Sequence, residues 1–177
     1  MTSRFILTGA PGAGKTALIR HLETLGHDIV EEAATDVIAL GQAGGTEKPW
    51  EHPAFIADIA RLQAWREAAP PRAGRRFSDR SVFCTIALAE WLGYPVPPDL
   101  LDTAARLAAS GWFEPRVFLV EQLGFIENTE ARRISLEEAT RFGAVNEAVY
   151  RRYGFELCRV APAGIPERAA ALLAKAG

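Results

Sequence analysis

Cysteine, histidine and lysine are all scarce in this chain, with two, three and three residues respectively among 177. Cys84 and Cys158 stand far apart with no CxxC or Cys/His ligand spacing, which excludes a disulfide framework and a zinc-binding set. Both sit in apolar stretches and are expected to be buried, reduced thiols acting as small hydrophobes. No charge sign dominates either: 20 basic residues face 22 acidic ones, a net charge of −2. A chain without a global positive field is not expected to bind nucleic acid or an anionic membrane. No apolar run approaches the roughly 20 residues that a membrane-spanning helix needs. Met1 leads directly into Phe5-Ile6-Leu7 without a signal-like segment, so a cytoplasmic location is expected. Internal repeats and low-complexity tracts are also missing.

What remains is an ordinary globular composition, 49% hydrophobic and 24% charged, at a length that suits one domain over residues 1–177. Short apolar runs alternate with helical stretches from one end to the other. That order of elements predicts a parallel sheet covered by helices on both faces, an α/β three-layer sandwich. Strands are expected at Arg4–Thr8, His27–Val30, Gly74–Ser78, Arg116–Val120 and Phe155–Val160. Leu18, Leu22 and Leu25 recur at helical spacing up to Gly26, a natural helix end. Further helices are expected at Glu32–Leu40, through Phe55, Ile59 and Leu62, at Val82–Leu92, Pro98–Ser110 and Leu136–Tyr153, and after Pro166. Gly41–Pro53, with its glycines and prolines, reads as a surface loop.

One motif stands out. Gly9-Ala10-Pro11-Gly12-Ala13-Gly14-Lys15-Thr16 satisfies G-x-x-x-x-G-K-[ST] and lies between an apolar strand and an amphipathic helix, the context the motif requires. Glycines allow consecutive N–H groups to turn inward on a phosphate, and the following helix adds the positive end of its dipole. Lys15 is expected to serve the β- and γ-phosphates as a mobile charge, and the Thr16 hydroxyl to ligate Mg²⁺. The implied ligands are ATP or GTP with Mg²⁺.

Phosphoryl transfer also needs an acid at the tip of a neighbouring strand, to hold Mg²⁺ or to take a proton from the acceptor. Asp79 is the candidate, although its strand carries a single large apolar residue and Asp79 reads equally well as a helix N-cap. Arg80 is expected to face the same cleft, or else to pair with an acid that the sequence does not identify. Glu31 and Glu32 follow the second strand at the cleft rim, where carboxylates accept the hydroxyls of a substrate or simply start a helix. Arg132 and Arg133 lie in a polar stretch between the fourth strand and the long helix, and residues 123–136 are read as a lid whose arginines reach phosphate oxygens. Trp50 is a candidate for stacking on a flat substrate or an ordinary core tryptophan.

These residues together resemble the AAA-type ATPases of the nicotinamide riboside kinase-like class, whose fold is similar to that of nucleoside monophosphate kinases. The resemblance rests on Gly9–Thr16, Val30-Glu31-Glu32-Ala33-Ala34, Asp79-Arg80, the arginines of 129–135 and the stretch Tyr150–Leu157. It implies a five-stranded P-loop fold, an acceptor site rimmed by Glu32, Asp79 and Arg80, and a base-contacting loop at Ala161–Ile165. In place of the arginine common after Glu-Glu-Ala-Ala the chain has Thr35, and Ser81 follows Asp79-Arg80 where glycine is frequent. Two functions fit: a kinase acting on a small hydroxyl-bearing or nucleoside-like acceptor, and a nucleotide-dependent switch read by a protein or lipid partner. The acceptor, the base and the oligomeric state are not encoded in these spacings.

Overall fold

The computed structural model describes residues 2–72, 74–122 and 135–177. Strands β1 (Ser3–Thr8), β2 (Asp28–Val30), β3 (Arg75–Asp79), β4 (Arg116–Val120) and β5 (Glu156–Val160) form one parallel sheet in the order β2-β3-β1-β4-β5. The helices are α1 (Lys15–Thr24), α2 (Ala34–Ala43), α3 (Phe55–Ala68), α4 (Val82–Leu92), α5 (Pro98–Ala109), α6 (Leu136–Arg152) and α7 (Ile165–Ala176). Ile6 pairs with Ser78 on one side and Val117 on the other, which puts β1 at the centre of the sheet. The carboxyl ends of β1 and β3 therefore lie side by side, and ligands of open α/β sheets bind at such ends.

Strand alternation divides the core between two faces. Phe5, Leu7, Phe77, Phe118 and Val120 point to one face and pack with Leu18, Ile19 and Leu22 of α1 and Ala169 and Leu172 of α7. Ile6 and Val117 point to the other face, where Phe83, Ile86 and Ala87 of α4 and Val149 and Tyr150 of α6 cover them. Helix α4 is buried along most of its length, as a sequence apolar on nearly every side requires. Helix α6 starts on a capping box in which Ser135 accepts from the Glu138 amide and Glu138 reaches back to the Ser135 amide. The segment read as a loop is partly ordered into helix: α2 runs on to Ala43, and Pro49–Glu51 forms a single 3₁₀ turn. The Pro49 ring packs against Gly41, where a side chain would collide with it. Among the described residues no helix is long and apolar enough to cross a membrane.

The apolar content of β3 is low because its polar residues are buried with partners. Arg76 is paired with the equally buried Asp28 at 2.7 Å and donates to the carbonyls of Glu67 and Ala69 at 3.3 and 2.7 Å. Ser78 donates to the carboxylate of Glu67 from α3. Burial pushes the Glu67 carboxyl up to about 6, against the opposing pull of Ser78 and Arg76.

The fold therefore disfavours ionised Glu67. Its penalty is absent below the ordinary value of 4.5, grows as pH rises, and is complete above about 6. That difference corresponds to about 2 kcal/mol. Glu67→Gln keeps the oxygen that accepts from Ser78 and is expected to stabilise the protein by about this amount at pH 7.5 and hardly at all at pH 4.5. Urea denaturation at the two pH values measures it, and identical pH dependence in parent and variant would contradict the assignment.

Candidate active site

The phosphate loop leaves β1 at Gly9, whose φ of 135° suits glycine and whose missing side chain is required by the Val120 carbonyl oxygen lying against it. Gly14, with φ 79°, hands the chain into α1, so Lys15 and Thr16 occupy the first turn. Lys15, expected to serve the phosphates as a mobile charge, folds back on its own loop. It is 6% exposed, and its Nζ donates to the carbonyls of Gly9 at 3.0 Å and Ala10 at 2.8 Å. The ammonium is thus held across the mouth of its own loop.

Asp79 ends β3 beside this turn. Its Oδ2 accepts from the Thr16 hydroxyl at 3.1 Å, so the two residues expected to serve a metal meet directly. The Asp79 side chain is buried, and its Oδ1 has no hydrogen-bond partner among the described residues. Burial, then the nearby Glu32 carboxylate, raise its pKa above the ordinary carboxylate value, with Lys15 and Arg80 opposing. Asp79 does not cap α4, since the N-cap position is taken by Ser81.

Between them Arg80 adopts a φ of 69°, the one non-glycine residue with positive φ among those described. Such a conformation costs about 1 to 3 kcal/mol and persists where the surroundings over-determine it. Here the Arg80 amide donates to the Leu7 carbonyl at 2.9 Å, and its Nε donates to Glu32 at 2.6 Å. The acid that the sequence left unidentified is thus Glu32, itself a predicted site residue. Burial works against the Arg80 charge, but Glu32, Cys84 and Asp79 outweigh it and hold the guanidinium above its ordinary pKa. Thr35 donates to the second Glu32 oxygen at 2.8 Å. Glu31 instead pairs with Arg20.

A cavity of about 550 Å³ opens beside the pair, bounded by Pro11 of the phosphate loop, Glu32 and Arg80. Trp50, Phe55, Ile59, Leu88, Trp91 and Phe142 make most of its wall apolar. Trp50 is thereby a wall residue, half-buried, with its carbonyl accepting from Tyr94 at 2.8 Å. Gln63, 2% exposed, reaches the cavity from α3, with its amide beside the Glu67 carboxyl one turn on, whose charged form it favours. Behind Ser81 and Cys84 the wall is fixed by the buried Tyr150 hydroxyl, 2.8 Å from Ser81 Oγ and 3.1 Å from Cys84 Sγ. Cys84 and Cys158 are free thiols, the first buried and the second half-buried. Gln63 escaped the sequence reading because the buried face of α3 turns polar at Gln63 and Glu67, which in sequence looks like the end of the apolar spacing.

Arg132 and Arg133, and the lid expected over 123–136 apart from Ser135 and Leu136, lie outside the described residues. Ala161–Gly164 form an exposed connection between β5 and α7, where the base-contacting loop was expected.

A glycine-rich loop between a central strand and a helix, with Lys15, Thr16 and Asp79 gathered at the strand ends, defines a P-loop fold of the nucleoside monophosphate kinase-like class. Residues 4–168 match the family description "AAA domain", and the chain belongs to that family. No curated protein sequence matches it. Among solved structures it is similar to deoxyadenosine kinase from M. mycoides with dCMP and dCDP bound, at 14% identity and TM-score 0.66, with 98% of each chain covered. NadR in complex with NAD and AMP-PNP gives 15% identity and TM-score 0.68, and this chain spans 48% of it. Shikimate kinase from Acinetobacter baumannii in complex with shikimate gives 14% identity and TM-score 0.62, covering 99% of this chain and 93% of that one. At such identities the likeness is one of fold.

Proposed function

We propose that this protein is a Mg²⁺-dependent kinase that binds ATP or GTP at Gly9–Thr16 and transfers the γ-phosphoryl group to a hydroxyl of a small acceptor. The observation that carries this reading is the cavity that runs from Pro11 of the phosphate loop to the Glu32–Arg80 pair. A switch needs a phosphate loop but no second, acceptor-sized chamber opening onto it. The solved structures of similar fold with dATP, AMP-PNP or shikimate bound add support.

The residues at the phosphate end fit a divalent cation. Thr16 and Asp79 supply a hydroxyl and a carboxylate, and Asp79 Oδ1, without a hydrogen-bond partner among the described residues, is the hard oxygen that such an ion or its water would take. Mg²⁺ bound there would neutralise charge spread over the β- and γ-phosphates. Lys15 leaves the Gly9 and Ala10 carbonyls for phosphate oxygens that bind it better. Glu32, which lines the cavity where Asp79 does not, accepts the acceptor hydroxyl and receives its proton as transfer proceeds. Arg80 and Thr35, one on each oxygen, hold Glu32 in position. Apolar walls with one buried amide suit an acceptor with a flat, largely apolar body and a polar edge for Gln63, as in a nucleoside-like compound. Arg132 and Arg133 are proposed as cations for the transferred phosphoryl group.

An acceptor screen read by ADP release tests the proposal. A kinase releases ADP much faster with its acceptor, whereas slow hydrolysis indifferent to every compound, together with partner binding in one nucleotide state alone, would favour the switch. Once an acceptor is found, Glu32→Gln is expected to lower kcat about a hundredfold, within the range of general base catalysis. Its affinity for Mg·ATP should stay near that of the parent. Unchanged kcat would remove Glu32 from the proton path.

A further inference from the structure

The phosphate loop is also held from behind, by a cation that no motif marks. Besides the Gly9 and Ala10 carbonyls bound by Lys15, the Pro11 carbonyl accepts from Gln122 Nε2 at 3.4 Å and the Ala13 carbonyl from Arg168 Nη1 at 2.9 Å. Arg168 lies in the first turn of α7, and its Nη2 donates to the Glu121 carbonyl, just past β4, at 2.6 Å. The residue is 1% exposed. Among the described residues no carboxylate forms an ion pair with it: Glu121, whose charge favours the guanidinium, is itself paired with Arg159 at 2.9 Å, and burial still pulls the Arg168 pKa below its ordinary value. Burying a guanidinium costs several kcal/mol unless its charge is met. Two backbone dipoles meet it only in part.

A buried charge that is met only in part gains from an anion arriving nearby, and the loop it grips is the one built for phosphate. The peptide plane supplies the second half of the argument. In a trans peptide the carbonyl and the following N–H point in opposite directions. Fixing the Ala13 oxygen towards α7 therefore turns the Gly14 N–H the other way, away from Arg168.

We propose that Arg168 is a positioning residue for the nucleotide: its fork ties Ala13 to the end of β4, sets the Gly14 amide for phosphate, and adds a buried positive charge behind the loop. This rests on the reading of Gly9–Thr16 as the nucleotide site. It makes polyphosphate affinity, independent of the base, depend on a side chain that touches no ligand. Arginine suits the place because its planar fork spans the Ala13 and Glu121 carbonyls from two separate nitrogens, where lysine offers one ammonium on a flexible stem.

Calorimetry of R168M and R168K with two probes, Mg·ATP and Mg²⁺ with inorganic tripolyphosphate, tests the inference, with thermal melting in parallel. Loss of charge and both bonds in R168M is expected to weaken both probes about a hundredfold. Loss of one charged hydrogen bond in R168K is expected to weaken them about tenfold. A merely structural arginine would lower the melting temperature and leave both affinities, measured well below it, at the parent's values. That outcome would overturn the inference. If R168M does not fold, R168K decides alone on the same criterion. A parent protein that binds neither probe would overturn the nucleotide site and the inference with it. Tight binding by the parent and by both variants would overturn the inference while leaving the site intact.

Discussion

Replacing Lys15 by Met is expected to lower phosphoryl transfer about a thousandfold, which matches the loss of one charge aimed at developing negative charge in a water-poor site. Methionine keeps the buried stem, so the change removes the ammonium with little loss of packing. The structure adds an effect that the motif alone does not suggest. In the free protein Lys15 donates to the Gly9 and Ala10 carbonyls, and these lose their donor in the variant. A moderate loss of stability, about 1 to 3 kcal/mol, is expected alongside the loss of turnover. Saturating Mg·ATP should not restore the rate, because the missing charge acts on the transition state as well as on the bound nucleotide. Steady-state kinetics over a wide ATP range, with urea denaturation of the free protein, checks both halves. A variant with parental kcat would remove Lys15 from the transfer step.

Asp79→Asn is expected to lower turnover several hundredfold while leaving the fold at least as stable as the parent near neutral pH. The two effects separate chemistry from architecture. Asparagine retains an oxygen to accept from Thr16, so the local hydrogen bond survives. What disappears is a negative charge that burial and Glu32 already disfavour, and removing a disfavoured charge does not destabilise. The catalytic loss follows because a neutral amide is a poor ligand for Mg²⁺ or its water. Raising the Mg²⁺ concentration should recover part of the lost rate. Kinetics at graded Mg²⁺ with melting curves measures this, and full turnover at ordinary Mg²⁺ would reduce Asp79 to the end of a strand.

The alternation of apolar runs was sufficient to place the five strands to within a residue or two, because each is framed by glycine, proline or a helix start. The phosphate loop was legible for a stricter reason: only glycine fits at Gly9 against the Val120 carbonyl, and the motif records that constraint. β3 was read weakly, since Arg76 and Ser78 look like surface residues. Their partners, Asp28 and Glu67, come from β2 and α3 and are invisible to local pattern. The acceptor side was half legible. Glu32 and Arg80 were both singled out, yet their pairing requires the chain to bring positions 48 apart together. Gln63 and Arg168 were not found at all. One is an amide where the buried face of α3 turns polar, the other an arginine in the first turn of an ordinary amphipathic helix, and each acquires meaning from what lies opposite it in the fold.

In the proposed reaction an acceptor seated in the cavity beside Glu32 and Arg80 takes the γ-phosphoryl group from a nucleotide held at Gly9–Thr16. Single-turnover reactions with γ-labelled ATP, Mg²⁺ and a panel of nucleoside-like and other small hydroxyl compounds test it most directly. Label is expected to move from ATP onto a hydroxyl of at least one compound, and Lys15→Met and Glu32→Gln are both expected to slow this transfer. Label appearing solely in inorganic phosphate, at one rate whatever compound is present, would contradict it.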